Sequence, residues 1–419
     1  MTREDALKML GAETLREMQV NPLESILNRR DTFVRMATAG GKSLLFQVPA
    51  IMWAPGLTLV FTPLKSLQLD QVHTLQHKGI RTRYLNSSLS ACERTELLDE
   101  LKSGQVTLLY LAPEQLENKS IREILKELKI AFVAVDEAHI LAYSKDGFRR
   151  AYRKIGKFVA KLPVRPVIAA FTATATARDQ QIICKSLKME DPAAFTSPIR
   201  RENLNLCIKV VESNAKEGKL DKIWHSKLRA VRNALEDWNG KGAVIIYCTT
   251  VEDVKKLFSR LKSDGWSVGK YHGKMLDKDR EKAQADFVSG EIEIMVATNA
   301  FGLGIDKPDV RLLIHVGLPL SMDGYVQEIG RAGRDGKKSK CVLVYSPSDF
   351  TGNERILENR SKKKEVASAM ARLNALKDLV VSEKCLWVGI ERYFGEKPGQ
   401  ECGNCWICRC KKLKRRSKK

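Results

Sequence analysis

The sequence lacks long apolar runs and a visible signal peptide, and its acidic residues are too few to balance its basic ones. No stretch of about 18 apolar residues occurs, so no membrane-spanning helix is expected. Residues 1–13, MTREDALKMLGAE, mix both charges and lack the apolar core of a signal peptide. Asp and Glu number 50 against 72 Lys and Arg, which gives a net charge of +22. A field of that sign concentrates polyanions and favours a nucleic-acid partner over a merely soluble basic protein.

Short apolar runs separated by helical stretches indicate the fold. The 419 residues are 43% apolar and 29% charged, which is a globular balance. The runs are β-branched and nearly continuous, as is typical of strands that are buried on both faces of a parallel sheet. We predict strands at residues 32–36, 58–62, 106–111, 131–136, 167–172, 243–248, 292–298, 311–317 and 340–346. Helices are expected between them, for example at residues 90–104, 251–265 and 277–290.

This alternation predicts an α/β fold with two parallel-sheet domains in tandem. We expect the first domain at residues 1–200 and the second at 201–346, with the polar stretch VESNAKEGKLDK, residues 211–222, as a linker or exposed crossover. A small cysteine-bearing module is expected at 347–410 and a basic tail at 411–419. Seven of the nine tail residues are Lys or Arg, which suits a nuclear import signal, a DNA-grasping segment or a disordered end.

Five of the ten cysteines lie in the last 35 residues, and four of them have the spacing of a zinc site. Cys385, Cys402, Cys405 and Cys408 follow the pattern C-x16-C-x2-C-x2-C, which can complete a tetrahedral, structural zinc site. Cys410 is a spare thiol or an alternative ligand. Disulfides would need an oxidising compartment, which nothing in the sequence supports. The remaining cysteines are expected to be buried thiols in a reducing compartment: Cys92, Cys184, Cys207, Cys248 and Cys341.

A candidate phosphate-binding cradle, MATAGGKS, spans residues 36–43 between a predicted strand and a predicted helix. Backbone N–H groups at such a helix start point at phosphate oxygens. Lys42 would neutralise the β and γ phosphates, and the Ser43 hydroxyl would ligate Mg²⁺. The strict pattern G-x-x-x-x-G-K-[ST] fails at its first position, which is Met36. By itself, a GGKS string is also an ordinary helix start.

A second motif, VAVDEAH, ends another predicted strand at residues 133–139. Asp136 is placed to hold Mg²⁺ through water, and Glu137 to polarise an attacking water. In a parallel sheet both carboxylates would emerge at the same edge as the cradle. The alternative is an acidic helix N-terminus, which the helix dipole would favour in any case. The cradle and the acidic motif together favour nucleotide hydrolysis.

Ten stretches of the chain together resemble the RecQ family of superfamily 2 DNA helicases, over residues 7 to 410. They are GGKSLLFQVPA, TLVFTPLKSLQLDQV, YLNSSLS, LLYLAPEQL, VAVDEAH, AFTATAT, IIYC, VATNAFGLGIDKPDVR, YVQEIGRAGRDG and CGNCWIC. The resemblance implies two RecA-like domains with ATP in the cleft between them and a zinc-binding module after the second. It also implies a nuclear protein, or a cytoplasmic or nucleoid protein if bacterial, that acts on single-stranded and branched DNA in repair and recombination. The oligomeric state is left open.

The resemblance implies roles for individual residues. Gln19 reads the adenine edge with Arg16 beside it, and the cradle residues Ala37, Thr38, Ala39, Gly40 and Gly41 surround the phosphates. Thr172 and Thr174 link hydrolysis to domain motion. Arg331 and Arg334 reach the γ-phosphate from the second domain, with Arg334 the better arginine-finger candidate. Gly304, Asp306 and Gln327 face the same cleft.

The resemblance and general chemistry together suggest DNA contacts at one rim of the sheets. Backbone N–H groups, hydroxyls and lysines suit phosphate contacts that ignore base identity. Lys65 and Ser66 are the candidates in the loop TPLKSL, with Arg311 in the second domain. Phe148 and Arg149 follow from the aromatic-rich loop of the family.

Four departures from the family pattern support a second hypothesis. Ala39 replaces a glycine, Ala12 an adenine-stacking aromatic and Ser144 a loop tryptophan. The chain also has the length of a short form without winged-helix and C-terminal helical domains. The leading hypothesis is an ATP-dependent 3′–5′ DNA helicase or translocase. The second is a weakly hydrolysing or inactive nucleic-acid-binding scaffold, and the third is an RNA helicase of the same superfamily.

Overall fold

The structure is a computed structural model, and its contacts divide the chain into two compact units. Unit 1 is Met1–Pro198 and unit 2 is Ile199–Lys419. The structure describes residues 1–37, 40–63, 65–143, 146–211, 219–238, 240–302, 307–360 and 363–416. Within these ranges, no helix is both long enough and apolar enough to cross a membrane.

Unit 1 is a parallel sheet with helices in the crossovers. Its strands are β1 (Thr32–Arg35), β2 (Leu57–Phe61), β3 (Thr82–Leu85), β4 (Leu108–Leu111), β5 (Ile130–Val135), β6 (Val167–Thr172) and β7 (Ala193–Thr196). Its α-helices are α1 (Arg3–Met9), α2 (Glu17–Leu27), α3 (Leu44–Met52), α4 (Lys65–His77), α5 (Ala91–Lys102), α6 (Lys119–Glu127), α7 (Ile140–Tyr143), α8 (Asp146–Val159) and α9 (Ala177–Leu187), with a 3₁₀ turn at Pro113–Glu117. The strand order is β3-β4-β2-β5-β6-β1-β7, and every pairing is parallel.

Unit 2 repeats this plan and continues into four further helices. Its strands are β8 (Leu204–Val210), β9 (Ala243–Cys248), β10 (Val268–Tyr271), β11 (Ile294–Ala297), β12 (Val310–Val316) and β13 (Ser339–Tyr345). They pair in parallel in the order β10-β11-β9-β12-β13-β8. Its helices are α10 (Lys219–Trp238), α11 (Val251–Ser263), α12 (Asp277–Ser289), α13 (Met322–Ile329), α14 (Ser348–Arg360), α15 (Lys363–Val381), α16 (Leu386–Tyr393) and α17 (Trp406–Arg416).

The strands of each sheet divide their side chains between two cores. In β5, Val133 packs into one apolar cluster of unit 1, and its neighbour Ala134 packs into the other. In β9, Ile245 and Ile246 divide in the same way between the two clusters of unit 2. Successive side chains of a strand point to opposite faces, so a strand that is covered on both faces must be apolar at every position. This is why the central strands appear in the sequence as continuous apolar runs.

The nine predicted strands are all present, within two residues at either end. The strands that the sequence did not indicate are the edge strands, β3 and β7 in unit 1 and β8 and β10 in unit 2. Edge strands are partly exposed; in β7, for example, half-buried and exposed residues alternate. Such strands keep polar residues and lose the continuous apolar pattern. The predicted helices at 90–104, 251–265 and 277–290 are α5, α11 and α12.

Two smaller expectations need correction. The polar stretch at 211–222 is not entirely a linker, because α10 already begins at Lys219; residues 212–218 lie outside the described part of the chain. Of the five scattered cysteines, Cys207, Cys248 and Cys341 are buried, but Cys92 is exposed and Cys184 is half-buried. Cys92 lies in the first turn of α5, a helix whose buried residues are Leu97 and Leu101.

Asp31 lies just before β1, and its carboxylate connects β6 to the segment that follows α9. We expect these contacts to stabilise unit 1. Asp31 is 3% exposed and accepts hydrogen bonds from Arg165 and from the backbone N–H groups of Ile168 (2.9 Å) and Glu190 (2.7 Å). Asp31→Asn places an amide NH₂ against these donors, and it should lower the free energy of unfolding by about 2 kcal/mol in urea. Asp191→Asn is the control, because Asp191 also pairs with an arginine but its side chain is 93% exposed. Its effect should stay within about 0.5 kcal/mol, and equal losses in both variants would contradict the expectation.

Candidate nucleotide and zinc sites

The cradle lies between β1 and α3, where the sequence placed it. Met36 continues β1 through a hydrogen bond from its N–H to the Thr172 carbonyl (2.9 Å), and Ser43 is the N-cap of α3. Gly41 has φ +80°, a conformation that glycine adopts without the strain of a side chain. Lys42 and Ser43 are half-buried at the start of the helix, where backbone N–H groups can meet an anion. Thr38 and Ala39 lie outside the described residues.

Gln19 is buried against the cradle. Its side-chain NH₂ donates to the carbonyls of Gly41 (2.9 Å) and Gly40 (3.3 Å), and its side-chain oxygen accepts from the Arg16 N–H (2.8 Å). The Gln19 amide therefore holds the glycine pair of the cradle in place. The Arg16 side chain is exposed beside it. Adenine reading by these two residues remains a prediction.

Asp136 and Glu137 follow β5 at the same edge of the sheet as the cradle. The N–H groups of Asp136 and Ala138 donate to Phe61 of β2 (2.8 Å) and Phe171 of β6 (2.9 Å). Glu137 lies between these two anchored residues with φ +49°, an uncommon value for a residue with a side chain. Strained backbone of this kind is concentrated at functional sites, which supports a special role for Glu137.

The environment of Asp136 fits a divalent cation. Its Oδ1 is buried and has no hydrogen-bond partner among the described residues. Burial and the neighbouring Glu137 raise the pKa of Asp136 to about 6, while Lys42 acts in the opposite direction. A buried carboxylate oxygen without a donor is the kind of oxygen ligand that Mg²⁺ takes.

His139 connects Glu137 to the segment after β6. Its Nδ1 lies 3.0 Å from Glu137 Oε2 and 3.2 Å from the Thr172 hydroxyl. Thr172 in turn donates to the Thr174 carbonyl (3.0 Å) and accepts from the Thr174 N–H (3.2 Å). Tyr152 of α8, one of the residues that remain from the aromatic-rich loop of the family, is fully buried and donates to the Asp136 carbonyl (3.1 Å). The sequence did not predict this contact, because a tyrosine in an amphipathic helix carries no local signal of what it touches.

In unit 2, the candidate arginines lie in the segment GRAGR, residues 330–334, which we call the arginine loop. Arg331 is 6% exposed and donates to the Gly302 carbonyl, beside the hydroxyl of Tyr247. Arg334 is half-buried, as is Gln327 on α13. The structure therefore leaves Arg334 more accessible than Arg331. Gly304 and Asp306 lie outside the described residues.

Within their own units, the two described candidate DNA contacts lie at different ends of the strands. Lys65 is exposed at the start of α4, directly after the carboxyl end of β2. Arg311 lies instead at the opposite, amino-terminal end of β12, where it pairs with Asp335 and donates to the Ser339 hydroxyl (3.1 Å). The side chains of Ser66, Phe148 and Arg149 lie outside the described part of the chain.

The four predicted zinc ligands form one cluster. The sulfur atoms of Cys385, Cys402, Cys405 and Cys408 all lie within 4.8 Å of one another. The Cys385–Cys405 and Cys402–Cys408 sulfur distances are 3.9 and 4.0 Å. Four sulfurs around zinc at about 2.3 Å stand about 3.8 Å apart, so the cluster fits a tetrahedral zinc ion. Cys410 is not part of the group.

Backbone geometry prepares the cluster for thiolates. The N–H groups of Asn404 (3.4 Å) and Cys405 (3.2 Å) point at the Cys402 sulfur, and the Cys402 N–H points at Cys385 (3.3 Å). Gly403 makes the turn with φ +68°. The Cys405 thiol and the backbone N–H groups of Cys405 and Asn404 lower the pKa of the Cys402 thiol, which favours its deprotonated, metal-binding form.

Comparisons with known proteins agree with this arrangement. The family described as DEAD/DEAH box helicase matches residues 16–183, the helicase conserved C-terminal domain matches 226–336, and RecQ zinc-binding matches 347–409. Two parallel-sheet units, with a phosphate cradle and a DEAH motif in the first, define the DEAD/DEAH class of helicase proteins. Within that class, the cysteine module and the relatives show that the chain belongs to the RecQ family.

The relatives match most of this chain. It is 37% identical over 399 residues to the ATP-dependent DNA helicase RecQ of Bacillus subtilis, which covers 95% of this chain and 65% of that protein. It is 35% identical over 368 residues to the probable ATP-dependent DNA helicase RecS of B. subtilis, over 87% of this chain and 71% of the relative. The structure of Mycobacterium smegmatis helicase Lhr bound to ssDNA and AMP-PNP shares the fold, with a TM-score of 0.67 and 19% identity over 94% of this chain and 55% of that one.

The raised pKa of Asp136 predicts a pH-dependent cost to stability in the absence of Mg²⁺. The folded-state pKa is about 6 against 3.8 for the free side chain, because burial disfavours the charge. Folding therefore favours the protonated form, and the stability that this gives is lost as the pH rises to about 6. In Mg²⁺-free buffer, Asp136→Asn should have a higher thermal midpoint than the wild type above that pH, and the difference should shrink toward pH 4.

The control for this comparison is Asp191→Asn, which changes an exposed carboxylate of the same unit. Its difference from the wild type should be small and nearly constant over the same pH range. If Asp136→Asn were less stable than the wild type at neutral pH, the ionised Asp136 would not be a destabilising charge.

The cysteine cluster predicts one zinc ion per chain. Cys405→Ser should lose the zinc and lower the thermal midpoint, because Cys405 is 1% exposed and its sulfur lies inside the cluster. Cys410→Ser is the matched control and should keep both the zinc and the midpoint. Metal analysis and thermal unfolding of the purified variants would check this. Loss of zinc from the Cys410 variant would instead make Cys410 a ligand.

Proposed function

We propose that this chain is an ATP-dependent 3′–5′ DNA helicase or translocase of the RecQ type that acts in DNA repair and recombination. The observation that carries the proposal is the buried, unpartnered Oδ1 of Asp136 close to Lys42 at the edge of the sheet that also bears Glu137. Membership of the RecQ family supports the direction of movement and DNA as the partner.

Each side chain has a proposed part in hydrolysis. The cradle N–H groups and Lys42 bind and orient the phosphates, which is most of what phosphoryl transfer needs from a protein. Glu137 orients the attacking water, and His139 holds its carboxylate at 3.0 Å. The path from His139 through Thr172 to Thr174 joins the site to the segment that follows β6. Arg331 and Arg334 are proposed to stabilise the charge that develops on the phosphates.

Mg²⁺ and zinc have separate proposed places. Ser43 and Asp136 would hold Mg²⁺, which neutralises phosphate charge when it is bound. The four-cysteine cluster would hold zinc as a structural ion, since no ligand position is left for a water. Reduced cysteines suit a reducing compartment, and we propose the nucleus, or the nucleoid of a bacterium, as the place of action.

We propose single-stranded and branched DNA as the partner, and a division of labour along the chain. The net charge of +22 supports a polyanionic partner. Lys65 is exposed after the carboxyl end of β2 and is the best supported phosphate contact. Ser66, Phe148 and Arg149 are further candidates. Arg311 is less suited, because Asp335 already neutralises it. Residues 1–200 would bind ATP, 201–346 would supply the arginines, 347–410 would hold zinc, and 411–419 would add positive charge.

Steady-state ATP hydrolysis with and without single-stranded DNA tests the proposal. The wild type should be stimulated by DNA, and Glu137→Gln should lower the rate at least about a hundredfold, because it removes the group that positions the water. Binding of single-stranded DNA should be kept in this variant. Lys42→Ala should lose hydrolysis together with ATP affinity.

The same measurement can also reject the proposal. A low wild-type rate that neither DNA nor Glu137→Gln changes would reject the motor. Tight DNA binding in that case would support the nucleic-acid-binding scaffold.

A further inference from the structure

The segment that opens unit 2, residues 199–203, makes contacts in two directions within that unit. Arg200 pairs with Glu391 of α16 at 2.7 Å and donates to the Gln400 carbonyl (2.9 Å), both in the zinc-binding module. The next residue, Arg201, contacts the arginine loop instead. Neighbouring arginines thus connect one short segment to the zinc-binding module and to the arginine loop.

The side chain of Arg201 binds the arginine loop, and all of its contacts there are with backbone carbonyls of the loop. Its guanidinium donates to the carbonyls of Gly330 (3.3 Å), Ala332 (3.2 Å) and Gly333 (2.6 Å). These carbonyls flank Arg331 on both sides and directly precede Arg334. They also lie just past the end of α13, where carbonyl groups have no helical partner and a cation is favourable.

A second contact fixes the same loop. Asn203 accepts from the Arg201 Nε–H (3.2 Å) and donates to the carbonyls of Gly333 and Lys337, each at 2.9 Å. Gly333 has φ +54°, and a Cβ there would lie 2.6 Å from the Asn203 amide nitrogen. The loop is therefore held in one conformation by its glycine and by two side chains that approach it closely.

The partners of Arg201 separate it from an ordinary stabilising ion pair. Its four hydrogen bonds go to carbonyl and amide oxygens, although its burial disfavours the charge and lowers the pKa of its guanidinium. Only arginine offers five donors in a rigid fork that can span several carbonyls, whereas lysine has one nitrogen. A half-buried cation therefore fixes the backbone of the arginine loop.

We propose that Arg201 is a positioning residue for ATP hydrolysis, which holds the arginine loop so that Arg331 and Arg334 are correctly placed. The inference rests on the proposed function. The side chain of Arg331 is itself held by the Gly302 carbonyl, so its backbone and its guanidinium are both fixed. Arg334 follows Gly333 directly, so its position depends on the same contacts.

The test compares Arg201→Gln and Arg201→Lys with the wild type, and Arg232→Gln is the matched control. Arg232 of α10 also forms a hydrogen-bonded ion pair in unit 2, with Asp264 at the end of α11. Arg201→Gln should lower kcat for DNA-stimulated hydrolysis about tenfold to a hundredfold, the range that small misplacements cause. The KM for ATP, the Kd for single-stranded DNA and the zinc content should match those of the control. Arg201→Lys should restore part of kcat, because it keeps the charge and one or two of the bonds.

A double variant separates positioning from a general loss of structure. If Arg201 acts through the arginine loop, its substitution should lower kcat by a smaller factor when Arg334→Ala is already present than it does in the wild type. Losses that multiply in the double variant, or an unchanged kcat in Arg201→Gln, would overturn the inference. If Arg201→Gln does not fold, Arg201→Lys carries the same comparison. A wild type without ATP hydrolysis would reject the proposed function itself, and with it the inference.

Discussion

Parallel pairing of strands that are covered on both faces is the constraint on which each unit depends. A parallel strand must be reached by a crossover, so every strand enters its sheet at one edge and leaves at the other. In unit 1 this brings the cradle, Asp136 and Glu137, and Thr172 to Thr174 to one edge, although they are far apart in sequence. Two backbone hydrogen bonds hold these segments side by side: the Met36 N–H donates to the Thr172 carbonyl, and the Ala138 N–H donates to the Phe171 carbonyl.

The site on this edge works against the stability of the fold around it. A carboxylate at Asp136 is buried without a donor for Oδ1, and Glu137 takes a left-handed backbone conformation. Strain of this kind costs about 1–3 kcal/mol and persists only where the surroundings fix it. Here the flanking N–H groups of Asp136 and Ala138 are bound to β2 and β6, so the sheet holds the strained residue in place. We infer that the strands on either side of β5 maintain the geometry that hydrolysis needs.

In unit 2 the zinc cluster and the arginine loop share one core. Cys385, Cys405 and Cys408 belong to the same apolar cluster as Ile329, which precedes the loop, and Ala332, which lies within it. The Tyr393 hydroxyl of α16 donates to Asp323 of α13 at 2.8 Å, which ties the helix before the loop to the zinc-binding module. Because these parts pack together, a structural metal can influence the loop without taking part in chemistry. The contacts of Arg200 and Arg201 add a second connection between the same regions.

How much could be predicted from the sequence depends on whether a feature is local. The central strands follow from continuous apolar runs, and the cysteine cluster follows from spacing, because both signals lie in neighbouring residues. The edge strands β3, β7, β8 and β10 could not be predicted, because one-sided burial leaves a mixed pattern that resembles a loop. The candidate residues Lys42, Asp136 and Glu137 could be named from their motifs and the family resemblance.

Tertiary structure decided how these residues are held. Three features depend on elements that are distant in sequence: the burial of Asp136, the hydrogen bond from Tyr152 to the Asp136 carbonyl, and the hydrogen bond from Gln19 to the cradle. Arg201 appears in the sequence as one basic residue among 72, and only the packing of the segment after Pro198 brings it to three carbonyls of the arginine loop. The sequence by itself determined the fold class, the zinc ligands and the chemical groups of the site. The three-dimensional structure decided the raised pKa of Asp136, the backbone strain of Glu137 and the hydrogen bonds that hold this segment. These properties arise from contacts that no local pattern records.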